Sequence, residues 1–191
     1  VFHELAHQVA YAPGDSPFNE AFATSVEEIG VARWLDEQGS DKMREDYRVY
    51  RQRKEDFLAL LSFYRQQLEA NYARAVSDDD KRARKAQLTE ALHQDYEAMK
   101  AERWGGYAGY DRWFDSPVSN AHFVLVATYH ELVPAFLGLH ADSSGFSHFY
   151  GEVRRIAKLS KAERRASLLR YMPAPPSSPE ALTPTLTAAS Q

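Results

Sequence analysis

The chain reads as an all-α protein. Its long charged stretches carry apolar residues at helical spacing, helix start and stop signals separate them, and no alternating run of strand length interrupts them. Residues 1 to 12 form the first helical stretch, closed by the turn signal Pro13-Gly14-Asp15. Asp15 or Ser16 then caps a second helix with Pro17 in its first turn, running to about Gln38 before Gly39-Ser40. Phe22, Val26, Ile29, Ala32 and Trp34/Leu35 form its apolar stripe.

Two long charged helices follow. The first runs from Asp41 to about Val76, with the stripe Tyr47, Tyr50, Phe57, Leu58, Leu61, Tyr64, Leu68 and Tyr72. The second starts at Ser77-Asp78-Asp79-Asp80, acids that suit the positive end of a helix, and runs to about Glu102. Leu88, Leu92, Tyr96 and Met99 give it a matching stripe, so the pair is expected to close as an antiparallel hairpin.

Trp104-Gly105-Gly106-Tyr107-Ala108-Gly109-Tyr110 is an aromatic loop that does not fit G-x-G-x-x-G and follows no strand, which excludes a phosphate loop. It can wall a pocket or simply pack. An apolar helix is expected from Ser119 or Asn120 through Leu137, kinked at Pro134, then a loop from Gly138 to Ser144. Helices at 146–158 and 160–171 follow, the latter with a Ser160/Glu163 capping box. The Pro-rich segment from Pro173 reads as a disordered tail. The organisation is therefore one domain in four stretches: 1–40, 41–103, 104–172 and the tail 173–191.

The chain of 191 residues is 44% apolar and 26% charged, enough to bury a core. A net charge of -4, without a basic stripe, excludes nucleic acid as an expected partner. No cysteine is present, which removes disulfides and cysteine-held metals. Apolar runs such as Phe123 to Ala127 are too short to cross a bilayer. Neither composition nor motif sets an oligomeric state.

The chemistry is concentrated at the start of the chain. His3-Glu4-Leu5-Ala6-His7 is an H-E-x-x-H motif. On a helix its two imidazoles lie one turn apart on one face and can grip one metal ion, while Glu4 flanks that face within reach of a bound water. A third histidine in the pattern H-E-x-x-H-x-x-G-x-x-H would need glycine at 10 and histidine at 13; Ala10 and Pro13 exclude it. A glutamate is left as third ligand, with Glu20, Glu27 and Glu28 as candidates. Glu20 and Glu27 share nearly one helix face, so Glu27 can also serve as the carboxylate that orients a histidine ligand. The set points to one Zn²⁺ and to peptide hydrolysis by a zinc-activated water, with Glu4 as general base and acid. Tyr129 is the candidate hydroxyl for steadying an oxyanion. His122 and His130 can approach a cleft but fit structural roles as well. His93, His140 and His148 carry no functional expectation.

These residues resemble a family. Phe2-His3-Glu4-Leu5-Ala6-His7, Gly14-Asp15-Ser16-Pro17-Phe18-Asn19-Glu20-Ala21-Phe22-Ala23 and Val26-Glu27 look like the bacterial "putative aminopeptidase" family of zinc-dependent lipoproteins. Ser119-Asn120-Ala121, Ala127-Thr128-Tyr129, Val133-Pro134-Ala135-Phe136 and Phe149-Tyr150 with Val153 look like it too, so the resemblance spans roughly residues 1 to 171. Asn19-Glu20-Ala21-Phe22-Ala23 is also similar to the Asn-Glu-Gly-Phe-Ala string of aminopeptidase N-like enzymes, whose glutamate binds zinc. The resemblance implies His3, His7 and Glu20 as ligands and Glu4 as the catalytic acid/base. It implies a peptide substrate, a cell-envelope or periplasmic location, and membrane contact only through an N-terminal lipid anchor. One departure is visible: the gap from His7 to Glu20 is shorter than in aminopeptidase N-like or thermolysin-like enzymes, which demands a tight connecting turn. Because Val1-Phe2 opens within an amphipathic helix, the sequence is expected to be the C-terminal helical part of a larger α+β enzyme. On that expectation the motif helix exposes apolar surface, and residues 1–191 alone turn over poorly. The same residues also fit a zinc endopeptidase, or a non-catalytic interaction module whose hairpin binds a partner while the metal braces the fold.

Overall fold

The computed structural model describes residues 1–123 and 131–173. Among the described residues the chain is helical, with no strand. In chain order the helices are α1 (Phe2–Val9), α2 (Ser16–Gln38), α3 (Asp41–Ala73), α4 (Asp78–Glu102), α5 (Val133–Ala141), α6 (Phe146–Ala157) and α7 (Lys161–Leu169). A 3-10 turn at Asp111–Trp113 and a helical turn at 120–123 lie between α4 and α5. No described helix is long and apolar enough to cross a membrane.

Two apolar cores organise these helices. The first is built where Phe18 and Phe22 of α2 meet Phe136 of α5 and Phe149 of α6, joined by Val153, Ile156 and Leu168. The rings of Phe18 and Phe136 meet edge-on at 5.2 Å, a favoured aromatic arrangement. Each such side chain, fully removed from water, contributes roughly 1.5–3 kcal/mol. α1 lies on this core through Ala6, with Ala10 and Ala12 buried just beyond it.

The second core fills the expected hairpin. Phe57, Leu61, Tyr64 and Leu68 of α3 face Leu88, Leu92, Tyr96 and Met99 of α4. The aromatic loop closes its end: Trp104 is buried and donates from Nε1 to buried Asp56, 3.0 Å away. Tyr110 stacks on Phe57 at 4.2 Å. The loop therefore serves packing.

α2 and α3 are joined by polar ties. The Ser40 side chain caps α3, and Arg44 donates to the carbonyls of Leu35 and Gly39, at 2.9 and 2.6 Å, ending α2. Glu28 of α2 pairs with Lys54 of α3 at 3.0 Å. α1 and α2 run antiparallel, as the contacts of Phe2 with Gly30, His3 with Glu27 and His7 with Glu20 require.

Several boundaries differ from expectation. α1 stops at Val9, because Ala10 turns to extended backbone and the polar groups of Ala12 pair with Asn19. α3 stops at Ala73, where Arg74 is extended. The expected loop at 138–144 begins only after Ala141. Gly138 is helical because bare backbone is what fits against the Tyr171 carbonyl. Pro134 sits in the first turn of α5, where its missing N–H leaves no bond unmade, and residues 124–130 of the expected apolar helix lie outside the described residues. The capping box at Ser160 and Glu163 forms as expected. Tail residues 174–191 lie outside the described residues.

Candidate metal centre

The centre is built from α1 and the first turns of α2. α1 presents His3 and His7 on one face, their ring centroids 5.1 Å apart. α2 presents Glu20 between them: Oε2 is 3.3 Å from His3 Nε2, and Oε1 is 3.9 Å from His7 Nε2. One donor atom from each of the three residues lies within 4.8 Å of the others. All three side chains are about three-quarters buried. Glu4 follows His3 on α1 and is exposed. By helical rotation it stands roughly 60° from His7, on the flank of the same face.

The loop between the helices explains how so short a gap can work. Gly14 takes a φ of +76°, a left-handed turn that costs glycine little. Asn19, 2% exposed, accepts from the Ala12 N–H at 2.8 Å and donates to the Ala12 carbonyl at 2.9 Å. It thus pins the loop from the residue next to Glu20. Asp15 caps α2 by accepting from the Phe18 N–H.

The C-terminal helices hold the loop from outside. Arg164 donates from Nε to Asp15 at 2.9 Å in a buried ion pair, and its Nη1 donates to the carbonyls of both Ala157 and Leu159. Arg154 of α6 donates to the carbonyl of Val9 at 2.9 Å, satisfying the open end of α1. Sequence reading found Asp15 as a cap, but not its partner or the work of Asn19, Arg154 and Arg164. An arginine 149 positions from its carboxylate leaves no local pattern.

The donor set fits zinc. Two imidazoles and one carboxylate are a common hydrolytic set. Metal bonds of about 2.0–2.1 Å in a tetrahedral arrangement put ligand atoms roughly 3.3–3.5 Å apart; the His3–Glu20 distance of 3.3 Å meets this, and the His7–Glu20 distance of 3.9 Å is longer. Glu27 adds a contact on the far side of the ring, its Oε2 3.4 Å from His3 Nδ1. Glu28, the remaining carboxylate candidate, is paired with Lys54 and Arg51 instead. His7 Nδ1 is buried without a hydrogen-bond partner among the described residues.

The other named residues that the structure describes do not join this cluster. Tyr129 and His130 lie outside the described residues. His122 Nδ1 accepts from the Ser119 N–H, and its ring rests against Trp113 of the second core. His93 stacks on Phe114, and His140 packs between Phe146 and Phe149, where burial lowers its pKa. His148 accepts from the Ser144 N–H, closing the turn before α6.

By fold and site, the chain is a helical protein whose first two helices gather the side chains of a candidate metal-hydrolase centre. The family model described as "Putative aminopeptidase" matches residues 1–168, and the chain belongs to that family. No curated protein and no solved structure gives a significant match.

Proposed function

We propose that the protein is a zinc peptidase, acting as an aminopeptidase. The observation that carries this reading is the convergence of His3, His7 and Glu20 donor atoms within 4.8 Å, two residues from one helix and one from the next. His3, His7 and Glu20 hold the ion and leave it a net charge near +1. Zinc so held lowers the pKa of a water toward ~7 and polarises a substrate carbonyl.

The remaining work falls to the protein. Glu4 accepts the proton of the attacking water as general base and returns it to the departing nitrogen as general acid. The carbonyl carbon gains one C–O bond and loses its C–N bond, and the proton travels through the Glu4 carboxylate. Asn19, Asp15 and Arg164 take no part in the transfer; they keep Glu20 and the end of α1 in register. The aminopeptidase reading rests on the family, whose name describes that activity. A cell-envelope location belongs to the same reading and is tested by fractionating the source cells.

The test is metal analysis and peptide turnover by the full-length protein, beside its Glu4→Gln variant. One zinc per chain is expected in both, with turnover in the variant reduced by about 10²- to 10⁴-fold. Absence of zinc from the wild type would remove the site assignment. Unchanged turnover in Glu4→Gln would remove Glu4 from the chemistry, and bound zinc with no turnover in either protein would leave a helical interaction module braced by a metal. Faster cleavage of N-blocked than of free-amine peptides would make the enzyme an endopeptidase.

A further inference from the structure

We infer that Glu27 is a positioning residue, which holds the His3 imidazole in its ligating orientation. The inference rests on the reading of His3, His7 and Glu20 as zinc ligands. The two nitrogens of the His3 ring face two carboxylates of one helix: Nε2 lies 3.3 Å from Glu20 and Nδ1 lies 3.4 Å from Glu27. Helical geometry makes this possible. Residues seven apart fall about 20° short of two full turns, so both carboxylates lie along one line of α2, with His3 reaching between them.

A carboxylate on Nδ1 draws the ring proton to that nitrogen. The lone pair then sits on Nε2, facing Glu20, and the ring plane is fixed. The neighbouring carboxylate cannot do this, because Glu28 is committed to Lys54 at 3.0 Å and Arg51 at 3.6 Å. Glu27 forms no ion pair with a lysine or arginine among the described residues. Its side chain is 53% exposed, so water competes for the contact. The effect therefore belongs at the lower end of the range known for such outer carboxylates.

Zinc titration of the metal-stripped full-length protein against a competing chelator tests this. Glu27→Ala is expected to weaken zinc binding by about 10-fold, within a general range of about 10- to 100-fold. Glu27→Gln should recover part of the loss, since an amide oxygen at the same place can accept from Nδ1. Glu28→Ala removes the same charge one residue further on without touching His3, and should leave zinc affinity unchanged. Melting of the metal-free Glu27→Ala protein should also be unchanged, because alanine suits an exposed helix position. Wild-type affinity in Glu27→Ala overturns the inference, and so does an equal loss in Glu28→Ala, which would make the effect one of net charge. A raised KM confined to free-amine peptides, with zinc affinity intact, would make Glu27 the substrate-amine anchor and also overturn it. A wild type that binds no zinc overturns the site reading itself, and is told apart by the wild-type titration alone.

Discussion

Replacing Asn19 with alanine should loosen the centre without touching any proposed ligand. Asn19 is 2% exposed and makes both of its hydrogen bonds to the backbone of Ala12, itself fully buried. The substitution orphans the Ala12 N–H outright, and a buried unmade donor costs about 1–3 kcal/mol. The Ala12 carbonyl keeps one partner, the Asp15 N–H at 3.2 Å. Losing its other bond costs only about 0.5–1.5 kcal/mol. The sum is about 2–4 kcal/mol, a large share of the roughly 5–15 kcal/mol that holds a domain folded. In urea, with an m-value near 2 kcal/mol/M, the midpoint should fall by about 1–2 M at unchanged slope. Zinc affinity should fall as well, since the loop setting α1 against Glu20 gains freedom. A midpoint within about 0.3 M of wild type, together with unchanged zinc affinity, would refute the argument that Asn19 holds the loop.

Arg164→Met leaves Asp15 charged and buried, and should cost about 3–5 kcal/mol in unfolding free energy; adding Asp15→Asn should restore part of it, and a strictly additive double mutant would show that the pair is not coupled. Gly138→Ala should destabilise by about 1–3 kcal/mol, although alanine gains ~1 kcal/mol in a helix. The new Cβ would collide with the Tyr171 carbonyl oxygen, a backbone atom rather than the end of a flexible side chain; a raised urea midpoint would contradict this. His140 has its pKa lowered by burial, so the unfolded chain binds its proton more readily than the folded one. Its contribution is present above the unfolded value of about 6.5 and is lost as pH falls through the folded value. Metal-free wild type should therefore lose stability below pH ~6.5 more steeply than His140→Gln, and equal slopes would exclude the effect.

Most of the helical frame was legible because helix formation is a local matter. The stripe from Phe57 to Leu68 and the facing stripe from Leu88 to Met99 each demand a cover, and the short Ser77 turn leaves each other as the nearest one. Ser77 and Ser160 announced their helices and cap them as expected, whereas Ser40, read only as a break after α2, also caps α3. The end of α1 and the length of α5 were not legible. Asn19 decides the first by taking the Ala12 backbone, and the Tyr171 carbonyl bears on the second by giving Gly138 a packing reason to sit inside a helix.

The same division runs through the candidate centre. His3 and His7 share a face because a helix turns every 3.6 residues, and Ala10 and Pro13 exclude a third histidine; both follow from sequence alone. Which glutamate meets those rings is a question of how α1 lies across α2, and only the packed structure answers it. Glu20 sits between the imidazoles, Glu27 lies on the outer side of His3, and Glu28 turns to Lys54. The reason is physical. Periodicity fixes the faces of one helix, whereas the register between two helices is set by contacts outside either helix's own repeat: Asn19 on Ala12 across the connecting loop, and, from far along the chain, Arg154 on Val9 and Arg164 on Asp15.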